Sequence, residues 1–153
     1  MTGWREMRML ARSLAIVTVV ALVSAAVATA ARVIVPSGTY KGKALKGASF
    51  TIAPSGKRAS FHGMATVELL CGAKTTPTGP TSTGQSTAFL VLDAGSAPTL
   101  KIDNADGKFS GTRRSHDGAV TIAGMFSANA KKMSFTVKTG GMCSSSKYTF
   151  HAS

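Results

Sequence analysis

The 153-residue sequence predicts an all-β protein, an antiparallel β-sandwich or curled β-barrel of about nine strands with one disulfide. Three observations carry this. Gly107–Lys138, GKFSGTRRSHDGAVTIAGMFSANAKKMSFTVK, holds three stretches of alternating apolar and polar residues separated by polar turns, the pattern of a β-meander. No amphipathic helical period runs between residues 31 and 153. Two cysteines, Cys71 and Cys143, stand far apart in a chain that opens with an export signal.

That signal is Met1–Ala30. It has a basic start with Arg5, Arg8 and Arg12, an apolar run from Leu14 to Val27, and the small residues Ala28-Thr29-Ala30, the form of a secretory signal peptide cleaved after Ala30. The alternative is an uncleaved anchor, since Leu14–Ala31 is 18 uncharged residues and about 18 to 20 just span a bilayer. The apolar run ends without a cysteine, so no lipid anchor is indicated, and no Arg-Arg pair precedes it. The expected product is 31–153, a single secreted β domain with no stable membrane insertion. Its 123 residues suffice for one core and are too few for two ordinary domains.

Within the meander, every second side chain of a half-buried strand faces the core. Phe109 then points inward in its first strand, Val120, Ile122 and Phe126 in its second, and Met133, Phe135 and Val137 in its third. Upstream, after the lead Arg32–Ser37, Tyr40 and then Phe50 with Ile52 mark two short strands, and Pro54-Ser55-Gly56 marks a turn. Ala59–Cys71 is the longest strand, with Phe61, Gly63, Ala65, Val67, Leu69 and Cys71 on its core face. Lys74–Thr87 is threonine, glycine, serine and proline without apolar period, a surface loop. Ala88–Asp93, AFLVLD, is dense enough in apolar residues to be covered on both sides. Leu100 and Ile102 form a short strand before the turn Asp103–Gly107, and Tyr148 with Phe150 form the last. A motif G-x-aromatic-x-G occurs at Gly38–Gly42 and Gly107–Gly111 and is echoed at Gly124–Ser127. With no helix after any copy, these are sheet-curving positions and not a phosphate cradle.

An even cysteine count in an exported chain reads as a disulfide, Cys71–Cys143. Neither cysteine belongs to a C-x-x-C pair or has a histidine at ligand spacing, so neither a metal nor a cofactor is expected. The histidines are His62, His116 and His151, and the acids Glu68, Asp93, Asp103, Asp106 and Asp117. His62 and Glu68 share one strand face, yet six residues put them about 20 Å apart. Ser115-His116-Asp117 places three triad residue types side by side in a turn, where their side chains diverge. Asp103–Gly107 has alanine where a calcium loop needs its second ligand. A catalytic site is not expected.

Charge is the strongest functional signal. Of 18 Lys and Arg and 6 Asp and Glu, the export segment takes three and one, leaving 15 and 5, a net charge of +10. Such an excess favours polyanions, which outside a bacterial cell are envelope polymers, phospholipid head groups or free nucleic acid. Candidate contacts are Lys41, Lys43, Lys101, Arg113, Arg114, Lys131, Lys132 and Lys138, distributed along the chain without an obvious groove. Nearly all the aromatic residues are in phase with the core, and the only tryptophan, Trp4, lies in the export segment. Stacking platforms for bases or sugars are therefore not visible, which disfavours single-strand nucleic-acid binding and a typical carbohydrate-binding face, and no sequence-specific nucleic-acid partner is expected.

The export signal, G-x-[YF]-x-G near the mature start, a cysteine after the third strand, another before the last and the closing Tyr148–Ala152 together resemble small exported proteins of high-GC Gram-positive bacteria, a functionally uncharacterised group. The resemblance implies an all-β extracellular domain and assigns no active-site residues. The expected function is a secreted, non-catalytic binding or structural module at the cell envelope. Two alternatives stand beside it: an enzyme with a loop-assembled site using His62, His116 or His151, and an inhibitor or effector that meets a protein target through Lys74–Thr87.

Overall fold

The computed structural model describes residues 32–72, 86–140 and 142–153. Residues 1–31, which hold the expected export signal, and most of the expected Lys74–Thr87 loop lie outside the described residues. Ten strands are present: β1 (Gly38–Lys41), β2 (Ala48–Ile52), β3 (Arg58–Cys71), β4 (Ser86–Asp93), β5 (Leu100–Ile102), β6 (Lys108–Ser115), β7 (Gly118–Phe126), β8 (Lys132–Thr139), β9 (Cys143–Ser145) and β10 (Tyr148–Ala152). Among the described residues there is no helix.

All pairings are antiparallel, and eight strands close into a barrel in the order β1-β2-β3-β5-β6-β7-β8-β10. The last strand completes the ring by pairing with β1 on one edge and β8 on the other. The choice between sandwich and barrel, open in the sequence, is thereby settled. β4 and β9 are additions on the long strand β3. They share Leu69–Cys71 as partners, so they flank β3 on opposite edges.

β3 has room for four neighbours because its 14 residues take β2 and β5 on opposite edges of the first half and β4 and β9 on opposite edges of the second. Its first half pairs with β2 through Gly63, and from Met64 onward it pairs with β4. Gly63 sits at the change, at φ 85°, with its missing Cβ only 1.9 Å from the Gly47 carbonyl oxygen. No other residue fits so close a backbone crossing. Gly63 is consequently exposed and interrupts the core face the alternation assigned to it.

The interior is filled by aromatic rings from strands distant in sequence. Phe50 lies 5.3 Å from Phe61, 5.2 Å from Phe135 and 5.8 Å from Phe150, centroid to centroid. Phe126 stands 5.3 Å from Tyr40 and 5.0 Å from Phe109. These are edge-on and tilted contacts, which the ring quadrupole favours over face-to-face stacking. Phe109, Ile122, Phe126, Met133, Phe135 and Val137 are buried in the predicted phase, while Val120 is half-buried. In the lead, Val33 and Val35 also join the core.

Two expectations are corrected. β4 is covered on one side only. Leu92 is buried and Ala88 and Leu90 half-buried, but Phe89 is 71% and Val91 51% exposed, because nothing described lies over the outer face of β3 and β4. There is also a tenth strand, β9, where Cys-Ser-Ser shows no apolar alternation. It forms because Cys143 is bonded to Cys71 at a directly opposed position, and the buried Ser145 hydroxyl accepts the Val137 N–H at 2.9 Å and donates to the Ser146 carbonyl.

The two phenylalanine environments give a direct test. Phe50→Ala is expected to cost about 3–5 kcal/mol, as for a buried aromatic residue. Phe89→Ser is expected to stay within about 0.5 kcal/mol of the parent, as at an exposed site. Urea unfolding of both variants checks this; comparable losses would contradict the assigned faces.

Candidate polyanion-binding face

Residues 32–67 and 118–153 contain ten Lys and Arg and no Asp or Glu, whereas 68–117 contains five of each. Residues 32–153 thus carry +10, all of it in the two outer segments. The fold joins them: β1, β2 and the first half of β3 come from one, β7 to β10 from the other, and β10 lies between β1 and β8. Of the ten, Lys41, Lys43, Lys131, Lys132 and Lys147 lie on or directly beside the arc of β8, β10 and β1, while Arg58 lies at the β3–β5 junction.

Register aligns it further. Lys132 opposes His151, His151 opposes Lys41, Lys41 opposes Ser49, and Ser49 opposes His62. All five are at outward-facing positions, and Lys132, His151, Lys41 and His62 are exposed. Neighbouring strands are about 4.8 Å apart, so Lys132 and Lys41 are based about 10 Å apart with His151 between them. Beside this row is a hollow of about 730 Å³ lined by Lys41, Lys43, Lys147 and His151 together with Tyr148 and Thr149. No carboxylate lines it. Gly42, in the first copy of the glycine motif, holds the Lys41–Lys43 segment down over β10, since a Cβ there would stand 2.2 Å from Phe150 Cδ1.

The neighbouring lysine pair is anchored from within. The buried Tyr40 hydroxyl donates a short hydrogen bond to the carbonyl of Ala130, which adopts a left-handed φ of 53° just before Lys131. Asn129 Oδ1 accepts the Lys131 N–H at 3.1 Å, Ser127 Oγ accepts the Lys132 N–H at 3.1 Å, and the Ala152 N–H reaches the Lys131 carbonyl at 3.0 Å. Lys131 and Lys132 thus project from a turn tied to both β1 and β10.

The remaining predicted contacts lie elsewhere. Lys138 is outward on β8, opposite Ser144 and Thr121. Lys101 opposes Arg58 where β5 meets β3. Arg113 and Arg114 end β6 on opposite faces of the sheet. Sequence reasoning missed Lys147 and His151. The missing acids in both outer segments were visible, and so was the outward phase of His151; that the two segments meet was not.

The other titratable groups are held locally. Asp103 Oδ1 accepts the Ala105 N–H, and Asp106 Oδ1 accepts the Lys108 N–H while its Oδ2 meets Lys108 Nζ at 2.7 Å. Lys108, through its ammonium and its amide, holds the Asp106 carboxyl below its ordinary range, as the Ser96 amide and hydroxyl and the Gly95 amide do for Asp93. Ser115 donates to the Gly118 carbonyl, and His116 lies 3.8 Å from Asp117 with both fully in solvent. Comparison with protein-family models, with curated proteins and with solved structures gave no match.

Burial pushes the Tyr40 phenol above its ordinary value of 10.0. The fold therefore favours the neutral form, and this contribution is complete below pH 10 and lost as pH rises through the folded-state value. Tyr40→Phe leaves the Ala130 carbonyl without its donor and is expected to cost about 1–3 kcal/mol near neutrality. From about pH 9 to 12 the parent should lose more stability than the variant. Parallel urea titrations check this, and equal alkaline losses would contradict it.

Proposed function

We propose that this chain is a secreted, non-catalytic module that binds an anionic polymer of the cell envelope through the face formed by β8, β10 and β1. The single observation behind this reading is the segregation of charge: ten cationic side chains and no acid in the two segments that the barrel brings together. Lys41, Lys43, Lys132 and Lys147 supply the principal contacts, with His151 among them. Exposed ammonium groups attract a polyanion over a distance set by ionic screening, about 8–10 Å at physiological salt. Much of the binding free energy then comes from release of counterions from the polymer, so affinity must fall steeply with salt.

Co-sedimentation of the protein with isolated cell envelopes over a series of salt concentrations tests this. Binding should weaken as salt rises. Replacing Lys41, Lys43, Lys132 and Lys147 together by Gln should weaken it by tenfold or more at low salt and flatten the log–log salt slope by about three to four, about one for each lost contact. Replacing Lys101, Lys108, Arg113 and Arg114 by Gln removes the same charge elsewhere and should cost about threefold or less by loss of general attraction alone. Equal losses in the two variants would reduce the effect to bulk charge, and no binding at low salt would end the proposal.

A further inference from the structure

Among the described residues, the closed ring leaves a gap at one end, on the side away from the basic arc. β5 has three residues, and it meets β3 only at Arg58 and Ala59 and β6 only at Ser110 and Phe109. Past it, β4 runs beside β3 while β6 continues to Ser115, and no backbone pairing joins β4 to β6. The gap is a cleft of about 810 Å³. Its walls include the core residue Leu69 and, packed against the core from its edge, Ala88, Leu90, Val120 and Cys143. A volume of that size and an apolar floor match the usual site for a small molecule.

One charged residue is out of place there. Arg113 shares the inward phase of Phe109 on β6 and pairs across the strand with Val120, so it occupies a position in the alternation that belongs to the core. Instead of a hydrophobic side chain, that position has a guanidinium, and Arg114, from the other face of β6, borders the cleft as well. Among the described residues no carboxylate comes within ion-pairing distance of it. Asp93 is near enough for Arg113 to contribute slightly to its lowered pKa, but its Oδ1 is taken by the Gly95 and Ser96 amides at 2.8 and 2.7 Å. Asp117 also borders the cleft and faces His116 across the turn.

We propose that this cleft binds a single-chain amphiphile with an anionic head, a carboxylate or a phosphate monoester. The hydrocarbon chain lies along the half-buried Ala88, Leu90 and Val120, where it removes apolar surface from water. The head meets Arg113, whose planar fork of donors matches two oxygens of either group. Phe109 and Ile122 fill the barrel below, so the chain lies along the cleft and does not enter the closed interior. Nothing in this site uses the basic arc.

Calorimetric titration of the purified protein with dodecanoate, dodecyl phosphate, dodecanol and dodecyltrimethylammonium, all below their micelle concentrations, tests the assignment. Saturable one-to-one binding of at least one of the two anions is expected, at least tenfold tighter than that of the alcohol or the cation. Which anion binds identifies the head group. Arg113→Met should weaken anion binding about tenfold or more and erase the preference over dodecanol, with Arg113→Lys recovering part of it. Ala88→Phe, which fills the floor, should abolish binding of all four while its thermal unfolding remains cooperative; if it fails to fold, Leu90→Asn replaces it. The variant lacking Lys41, Lys43, Lys132 and Lys147 should bind the anions as the parent does. The proposal is overturned if neither anion binds saturably, if Arg113→Met binds them equally well, or if the protein binds anionic phospholipid vesicles and no monomeric amphiphile.

Discussion

The structure depends on the closure made by β10, which pairs with β1 along one edge and β8 along the other. A sheet of this length left open would expose two rows of unpaired amide and carbonyl groups, the usual template for association with another chain. Closure satisfies those groups within the molecule and sets Phe150 against both Phe50 and Phe135. It also joins the two segments that lack acidic residues. The same pairing that completes the core therefore creates the basic face, with His151 between Lys41 and Lys132.

Stability and charge are arranged to interfere little with each other. The core rings and aliphatic chains are buried, whereas every lysine and arginine among the described residues is exposed. Repulsion between solvated ammonium groups is screened by water and salt, so a net charge of +10 on one domain is tolerable. Tyr40 connects the two parts. Its ring packs against Phe126 in the core, and its hydroxyl reaches the turn that presents Lys131 and Lys132. The disulfide adds a second constraint at the far end, fixing β9 to β3 beside the cleft.

Much of the fold was legible in the residues, because a strand with one wet face writes its orientation into a period of two. The meander, the long β3 and the pairing of Cys71 with Cys143 follow from that pattern and from cysteine arithmetic. β9 was hidden because Cys-Ser-Ser has no apolar period, and its pairing relies on a bond and a serine hydroxyl. β4 was misread as covered twice, since Phe89 and Val91 look like core residues in sequence and face solvent through lack of a neighbour. The basic face was only half visible. Lys41, Lys43 and Lys132 could be named, but Lys147 and His151 become their neighbours through a closure between residues about a hundred positions apart. Arg113 was read as one more surface cation, because its inward phase acquires meaning only once the gap between β4 and β6 is seen.

The most direct test of the account is residue-by-residue mapping of polyanion contact in solution. Backbone amide spectra of isotope-labelled protein would be recorded while a soluble polyphosphate is added at low salt. Shifts are expected to concentrate on Lys41, Lys43, Lys132, Lys147, His151 and their strand neighbours, with the β5–β6 and β6–β7 turns unmoved, and to reverse on adding salt. Shifts spread evenly over all exposed lysines and arginines, or centred on Arg113 and Arg114, would contradict it.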